Sequence, residues 1–124
     1  MKETTPILYP NDIVGERVSY YAEAQTSRIP QHIIDYHAHV GETQPKTAIY
    51  MVSISQAQAM AFLARIVGAK RVLEVDVYVG LSSLVWSHAV GPDGKVTGLE
   101  FDAGFANQAR VCYANHGVNN VEVI

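Results

Sequence analysis

Apolar residues along this chain change their spacing near residue 70, from helical periods to short unbroken runs. Before that point the pattern predicts helices. Pro10-Asn11-Asp12 is a start signal with Asn11 or Asp12 as cap, and Ile13, Val14, Val18, Tyr21 and Ala22 give an apolar face through about Thr26. Pro30 can open a second helix with Ile33, Ile34 and His37 along one side, and Gly41-Glu-Thr-Gln-Pro45 reads as a loop. The third helix is well punctuated. Ser55 and Gln58 have capping-box spacing, Ala59, Phe62, Leu63, Ile66 and Val67 form the apolar stripe, and Gly68 is the stop.

From Arg71 the period shortens. Val72, Leu73, Val75 and Val77 predict a strand buried on both faces, followed by a helix from about Leu81 to Ala89. Gly91-Pro-Asp-Gly94 is a turn, and Lys95 to Glu100 is a second strand. A helix from Ala103 to about Asn115, a stop at Gly117 and a strand Val121-Glu-Val-Ile124 complete the pattern. Strands alternating with ten-residue helices imply βαβ crossovers, hence an α/β fold with a three-stranded parallel sheet. Residues 1–54 are the N-terminal helical segment and 55–124 the sheet-bearing core, one structural domain overall.

Composition narrows the function classes. The 124 residues are 48% hydrophobic and 17% charged, with a net charge of −3 and no basic stripe, so neither nucleic acid nor an anionic membrane is an expected partner. Cys112 is alone, which rules out an internal disulfide and suits a reducing compartment; a small apolar role in a helix is expected for it. Met1-Lys-Glu-Thr-Thr-Pro6 has no apolar signal core and no window reaches the length of a membrane span, so a cytoplasmic location is the expectation.

The chemistry concentrates where the first strand ends. Arg71-Val-Leu-Glu-Val-Asp-Val-Tyr-Val-Gly80 runs an apolar strand into a glycine turn, and Gly80-Leu-Ser82-Ser83-Leu begins a helix. Such a turn presents backbone N–H groups to a ligand at the carboxyl end of a strand. Five histidines are many for this length, but His37 and His39, two apart on a helix, point about 200° from one another and suit one ion poorly. His32, Tyr36 and His39 share a face with Asp35 beside it, and a polar helix end or interface is the expected role. Tyr50, Met51 and Tyr78 should lie at the carboxyl ends of the strands, where open sheets bind ligands.

Three ordered segments resemble the caffeoyl-CoA-type O-methyltransferases, enzymes that use S-adenosylmethionine (SAM) and a divalent metal. They are Met51-Val-Ser-Ile-Ser-Gln-Ala-Gln, then Ala69 through Ser82, then Gly91-Pro-Asp-Gly-Lys-Val-Thr-Gly-Leu-Glu-Phe-Asp102. The likeness runs from about Met51 to Ile124 and more loosely before it. It implies a truncated Rossmann-like methyltransferase fold corresponding to the N-terminal half. It also implies that Glu74 lies near the methionine end of the cofactor, that Tyr78 and Gly80 shape the turn, and that Ser82 bonds the amino-acid part, with Met51 a further cofactor-binding candidate. Glu100 takes the position of the acid that accepts the ribose hydroxyls. The family's metal ligands, two aspartates and an asparagine beyond the third strand, fall outside this sequence, and no replacement set is visible.

Asp76 departs from the family pattern, standing where glycine lets the backbone approach the ligand. Like charges about 4 Å apart cost about 4 kcal/mol at an effective dielectric of about 20, roughly a thousandfold in affinity. SAM binding is therefore expected to be weakened, and a cofactor-free role follows. The expectation is a cyclase or isomerase acting on a small aromatic substrate, with Asp76 as one member of an acid–base pair and Tyr78 or His39 as the other. A SAM-dependent O-methyltransferase and a non-catalytic binding module are the alternatives. In the full sheet of the family the first strand has a fourth strand beside it; without one it is an apolar edge, so a homodimer or larger homo-oligomer that completes the pocket is also expected.

Overall fold

A computed structural model describes residues 9–124; the Met1–Pro6 stretch lies outside the described residues. Asn11 starts the first helix, its Oδ1 accepting the Val14 N–H at 3.0 Å, and α1 runs Asp12–Gln25. The apolar face expected of α1 buries no residue, and Tyr20 and Tyr21 stay exposed. What ties α1 to the rest is polar: Ser55 Oγ donates to Glu23 Oε1 at 2.9 Å and Gln58 Nε2 to the Glu23 carbonyl at 3.2 Å.

Those two bonds explain a correction. The capping box is Ser53 and Gln56, not Ser55 and Gln58, and α3 runs Ile54–Ile66. Both pairs have the right spacing, and the downstream pair is spent on α1. A second correction concerns α2, which runs Gln31–Thr43 through the predicted loop at Gly41. A glycine inside a helix costs about 1 kcal/mol relative to alanine, and the buried Val40 anchors that last turn.

The sheet is α/β and parallel as expected, with β1 (Arg71–Val75), β2 (Lys95–Leu99) and β3 (Val121–Val123) in the order β1-β2-β3. α4 (Leu81–Val90) and α5 (Ala103–Asn115) make the crossovers. Both crossovers advance across the sheet in one direction, so right-handedness puts both helices on one face. On that face Glu74, Gly98 and Val123 are in register and buried. One core gathers Ile29 and Ile33 with Ala57, Ala61, Leu84, Val85 and Ala109, taking side chains from both sides of residue 54.

Among the described residues the opposite face is bare. Leu73, Val75, Leu99 and Ile124 are exposed, so β1 is not buried on both faces as its composition suggested. The stripe expected on α3 is turned out as well. Phe62, Leu63, Ile66 and Val67 are exposed, while the alanines at 57, 61 and 64 face inward and let α3 pack closely on α4. Bulky apolar residues in both elements point away from this core.

Candidate functional site: the turn after the first strand

β1 ends at Val75, and the next five residues turn the chain into α4 through left-handed backbone: φ is 69° at Asp76, 52° at Tyr78 and 91° at Gly80. Each non-glycine residue held there costs on the order of 1–3 kcal/mol unless its surroundings impose it, aspartate less than tyrosine. Here they do. The Asp76 N–H donates to the Leu99 carbonyl at 3.0 Å, the Tyr78 N–H to Glu100 Oε2 at 2.7 Å and the Gly80 N–H to the Val77 carbonyl at 3.1 Å. Tyr36 OH donates to the Val79 carbonyl at 2.8 Å, and Tyr78 OH to Thr47 Oγ1 at 2.7 Å. Val77, Tyr78 and Val79 are buried beneath.

Gly80 is there for two reasons. Its φ suits glycine, and a Cβ would meet Tyr113 Cε1 at 2.8 Å and Ala109 Cα at 3.2 Å. It opens α4 with no side-chain cap, so the first-turn N–H groups, at the positive end of the helix, have no side chain across them. Gly98 fits the same turn from below, since a Cβ there would lie 2.5 Å from Val77 Cγ2.

Above this turn lies an open cleft of about 320 Å³. Six of the predicted site residues line it: Tyr50, Met51, Glu74, Asp76, Tyr78 and Ser82. Gly80 closes the turn at its floor. Glu100 supports it, with Oε1 accepting the Asp102 N–H at 2.9 Å while Oε2 holds Tyr78, each oxygen keeping further lone pairs. His39 is not brought to this cleft. It lies exposed on α2 in a separate groove with His32, Asp35, Tyr36, Cys112 and His116. The pairing of Asp76 with His39 as acid and base therefore does not form. Tyr78 does share the cleft with Asp76, but its ring is buried between Tyr50 and Phe105 and its hydroxyl is bonded to Thr47.

Charge in the cleft is of one sign. Glu74 is buried and accepts a hydrogen bond from Ser83 Oγ. Burial pushes its carboxyl above the usual range and nearby Asp76 adds to the shift, while hydrogen bonds from Ser82, Ser83 and Trp86 pull the other way. No lysine, arginine or histidine lines the cleft among the described residues. Asp76 itself is exposed. Solvent screening then reduces its repulsion of a ligand carboxylate, toward about 1 kcal/mol at 4 Å in bulk water, or about fivefold in affinity.

Trp86 and Ser83 belong to the site and were not singled out in the sequence. Trp86 is four residues after Ser82, one helical turn along the same face of α4, and that spacing is the signal that finds it. Thr47 and Tyr36, which fix the turn from other elements, leave no such local trace. Among the described residues no three His, Cys, Asp or Glu side chains are placed to hold a metal ion. Nor is any described helix long and apolar enough to cross a membrane.

A parallel sheet whose first strand ends in a left-handed turn, with an uncapped helix beyond and a carboxylate after the second strand, places this chain in the class of open α/β folds that bind ligands at the carboxyl ends of their strands. The chain belongs to the O-methyltransferase family, whose model matches residues 25–123. It is 36% identical over 74 residues to a catechol O-methyltransferase of Mycobacterium tuberculosis, covering 59% of this chain and 34% of that protein. Caffeoyl-CoA O-methyltransferase 2 of Petunia hybrida is 26% identical over 98 residues, covering 70% and 40%. Among solved structures, the SAH-bound methyltransferase PaMTH1 of Podospora anserina superposes with a TM-score of 0.85 at 30% identity, over 97% of this chain and 52% of that one. The O-methyltransferase TomG of Streptomyces achromogenes, in complex with SAM, gives 0.69 at 25% identity, over 85% and 46%. The chain thus spans between about a third and a half of these relatives.

Proposed function

We propose that this chain carries the cofactor-binding half of a SAM-dependent O-methyltransferase. The observation that carries the reading is the left-handed turn from Asp76 to Gly80, imposed by bonds from three other elements and opening on an uncapped helix. The relatives solved with SAM or SAH support it. Glu74 and Asp76 would attract the ammonium and sulfonium of the cofactor, Ser82 would bond its amino-acid end, and Met51 would pack against it. Glu100 would take the ribose hydroxyls with the lone pairs that Tyr78 and Asp102 leave free. Bound there, SAM supplies an electrophilic methyl group for an oxygen of a small aromatic substrate. The chain's own part is to bind and orient the cofactor.

Cofactor-free ring closure is supported by less. It needs an acid and a base facing one substrate, and of the partners expected for Asp76, His39 lies in another groove and the Tyr78 hydroxyl is bonded to Thr47. The bare sheet face supports a homo-oligomer, in which a second copy shields Leu73 and Val75. Calorimetric titration with SAM tests the main reading. Saturable binding is expected, about tenfold weaker in Glu100→Gln, which loses the charge that strengthens hydrogen bonds to the ribose. Absence of binding, or equal affinity in the variant, would contradict it.

A further inference from the structure

We propose that the groove between α2 and the end of α5 binds a borderline transition-metal ion, with His32 and His116 as its two protein ligands. The site is independent of the cofactor reading, since the groove shares no lining residue with the cleft. His32 lies in the first turn of α2, and His116 caps the end of α5. Their ring centres are 5.3 Å apart, with planes tilted by 34°. Two imidazoles that share a tetrahedral ion, each at a metal–nitrogen distance of about 2 Å, have ring centres roughly 5 Å apart. The pair already stands at the separation that one ion requires.

The His116 ring is also set for this task. Its Nδ1 lies 2.8 Å from the Cys112 carbonyl, and a carbonyl only accepts, so Nδ1 carries the proton and Nε2 keeps its lone pair. A backbone carbonyl on the far nitrogen is a common way of orienting a metal-binding histidine. Tyr36 packs edge-on against the same ring at 5.4 Å and holds its plane. Burial lowers the pKa of His32, and His116 beside it adds to the shift while Asp35 opposes it, so the neutral, ligating form prevails at neutral pH. Among the described residues no third side chain is placed to coordinate. Cys112 is buried and its thiol, pushed up to about 11, stays protonated. Water therefore completes the coordination. Imidazole ligands suit Zn²⁺, Ni²⁺ or Cu²⁺, whereas Mg²⁺ and Ca²⁺ require oxygen ligands. An ion held there ties α2, which grips the turn through Tyr36, to α5, whose Ala109 and Tyr113 adjoin Gly80.

The test is calorimetric titration of the full chain with Zn²⁺, with Mg²⁺ as the control ion, repeated on His32→Gln, His116→Asn and His39→Gln. Zn²⁺ should bind saturably at one site per chain, and Mg²⁺ should not bind. His32→Gln and His116→Asn should each weaken Zn²⁺ at least about tenfold, no less than the loss of a ligand's outer partner typically costs. His39→Gln, in the same groove but seven residues from His32, should bind as the native chain does. Where a variant fails a thermal melt, ring-nitrogen resonances of the native chain decide: those of His32 and His116 should shift with Zn²⁺, and those of His37, His39 and His88 should not. No saturable Zn²⁺ binding, Mg²⁺ binding as tightly, undiminished affinity in either ligand variant, an equal loss in His39→Gln, or ring shifts confined to the other histidines would overturn the inference.

Discussion

Asp76, Gly80 and Glu74 are the residues on which the site turns, and each makes a different demand. Gly80→Ala should destabilise the chain by about 2 kcal/mol or more, since the new methyl meets Tyr113 and Ala109 in addition to the backbone penalty; a urea melt measures it. Tyr78→Phe removes the hydroxyl bond to Thr47 and should cost about 1 kcal/mol. Glu74 makes stability depend on pH. Its folded pKa is raised above the ordinary 4.5, so its favourable contribution is complete below that value and is lost as pH rises through the raised one. Relative to Glu74→Gln, the native chain should lose stability as pH climbs from 4.5 toward neutrality. Thermal melts across that range check this, and an identical pH dependence in the two proteins would show that the buried carboxyl is not the cause.

The same residues show what a local pattern can and cannot reveal. Glu74, Asp76, Tyr78, Gly80 and Ser82 are consecutive or nearly so, and the strand–turn–helix grammar around them was legible because each link is short-range. Asp76 in place of a glycine was visible in the sequence, and its φ of 69° shows why glycine suits the position. His39 was not legible in the same way. It lies on α2, and only the packing of α2 against α4 decides which groove it reaches.

At the scale of elements, propensity located the helices and strands well and their faces poorly. α3 is the clearest case. Its large apolar residues suggested the buried stripe, yet Ala57, Ala61 and Ala64 make the contact with α4, where small side chains allow close approach. β1 repeats the lesson with Leu73 and Val75, which read as interior and are exposed. A hydrophobic pattern reports that a face is to be covered, not what covers it. That face has a measurable consequence. Leu73→Lys with Val75→Lys should leave the helical circular-dichroism signal intact and lower the proposed self-association in analytical ultracentrifugation, because the edge strand becomes charged. Loss of the folded signal would mean that these side chains support the core instead.

For the whole molecule, the proposed cofactor site draws on few segments of the chain. The turn, the helix start and the Glu100 carboxylate lie within residues 74–102, tied down by α2 through Tyr36 and by Thr47 through Tyr78. Family membership and the fold follow from residues 25–123. The proposed binding rests on the geometry of the turn, and it is the property that one experiment reaches directly. Amide resonances followed while SAM is titrated into the isotope-labelled chain provide that measurement. Saturable shifts centred on Tyr78, Gly80 and Ser82 and extending to Asp102 are the expected result. Shifts confined to the groove around His39 and His116, or none at saturating ligand, would contradict the assignment of this turn as the cofactor site.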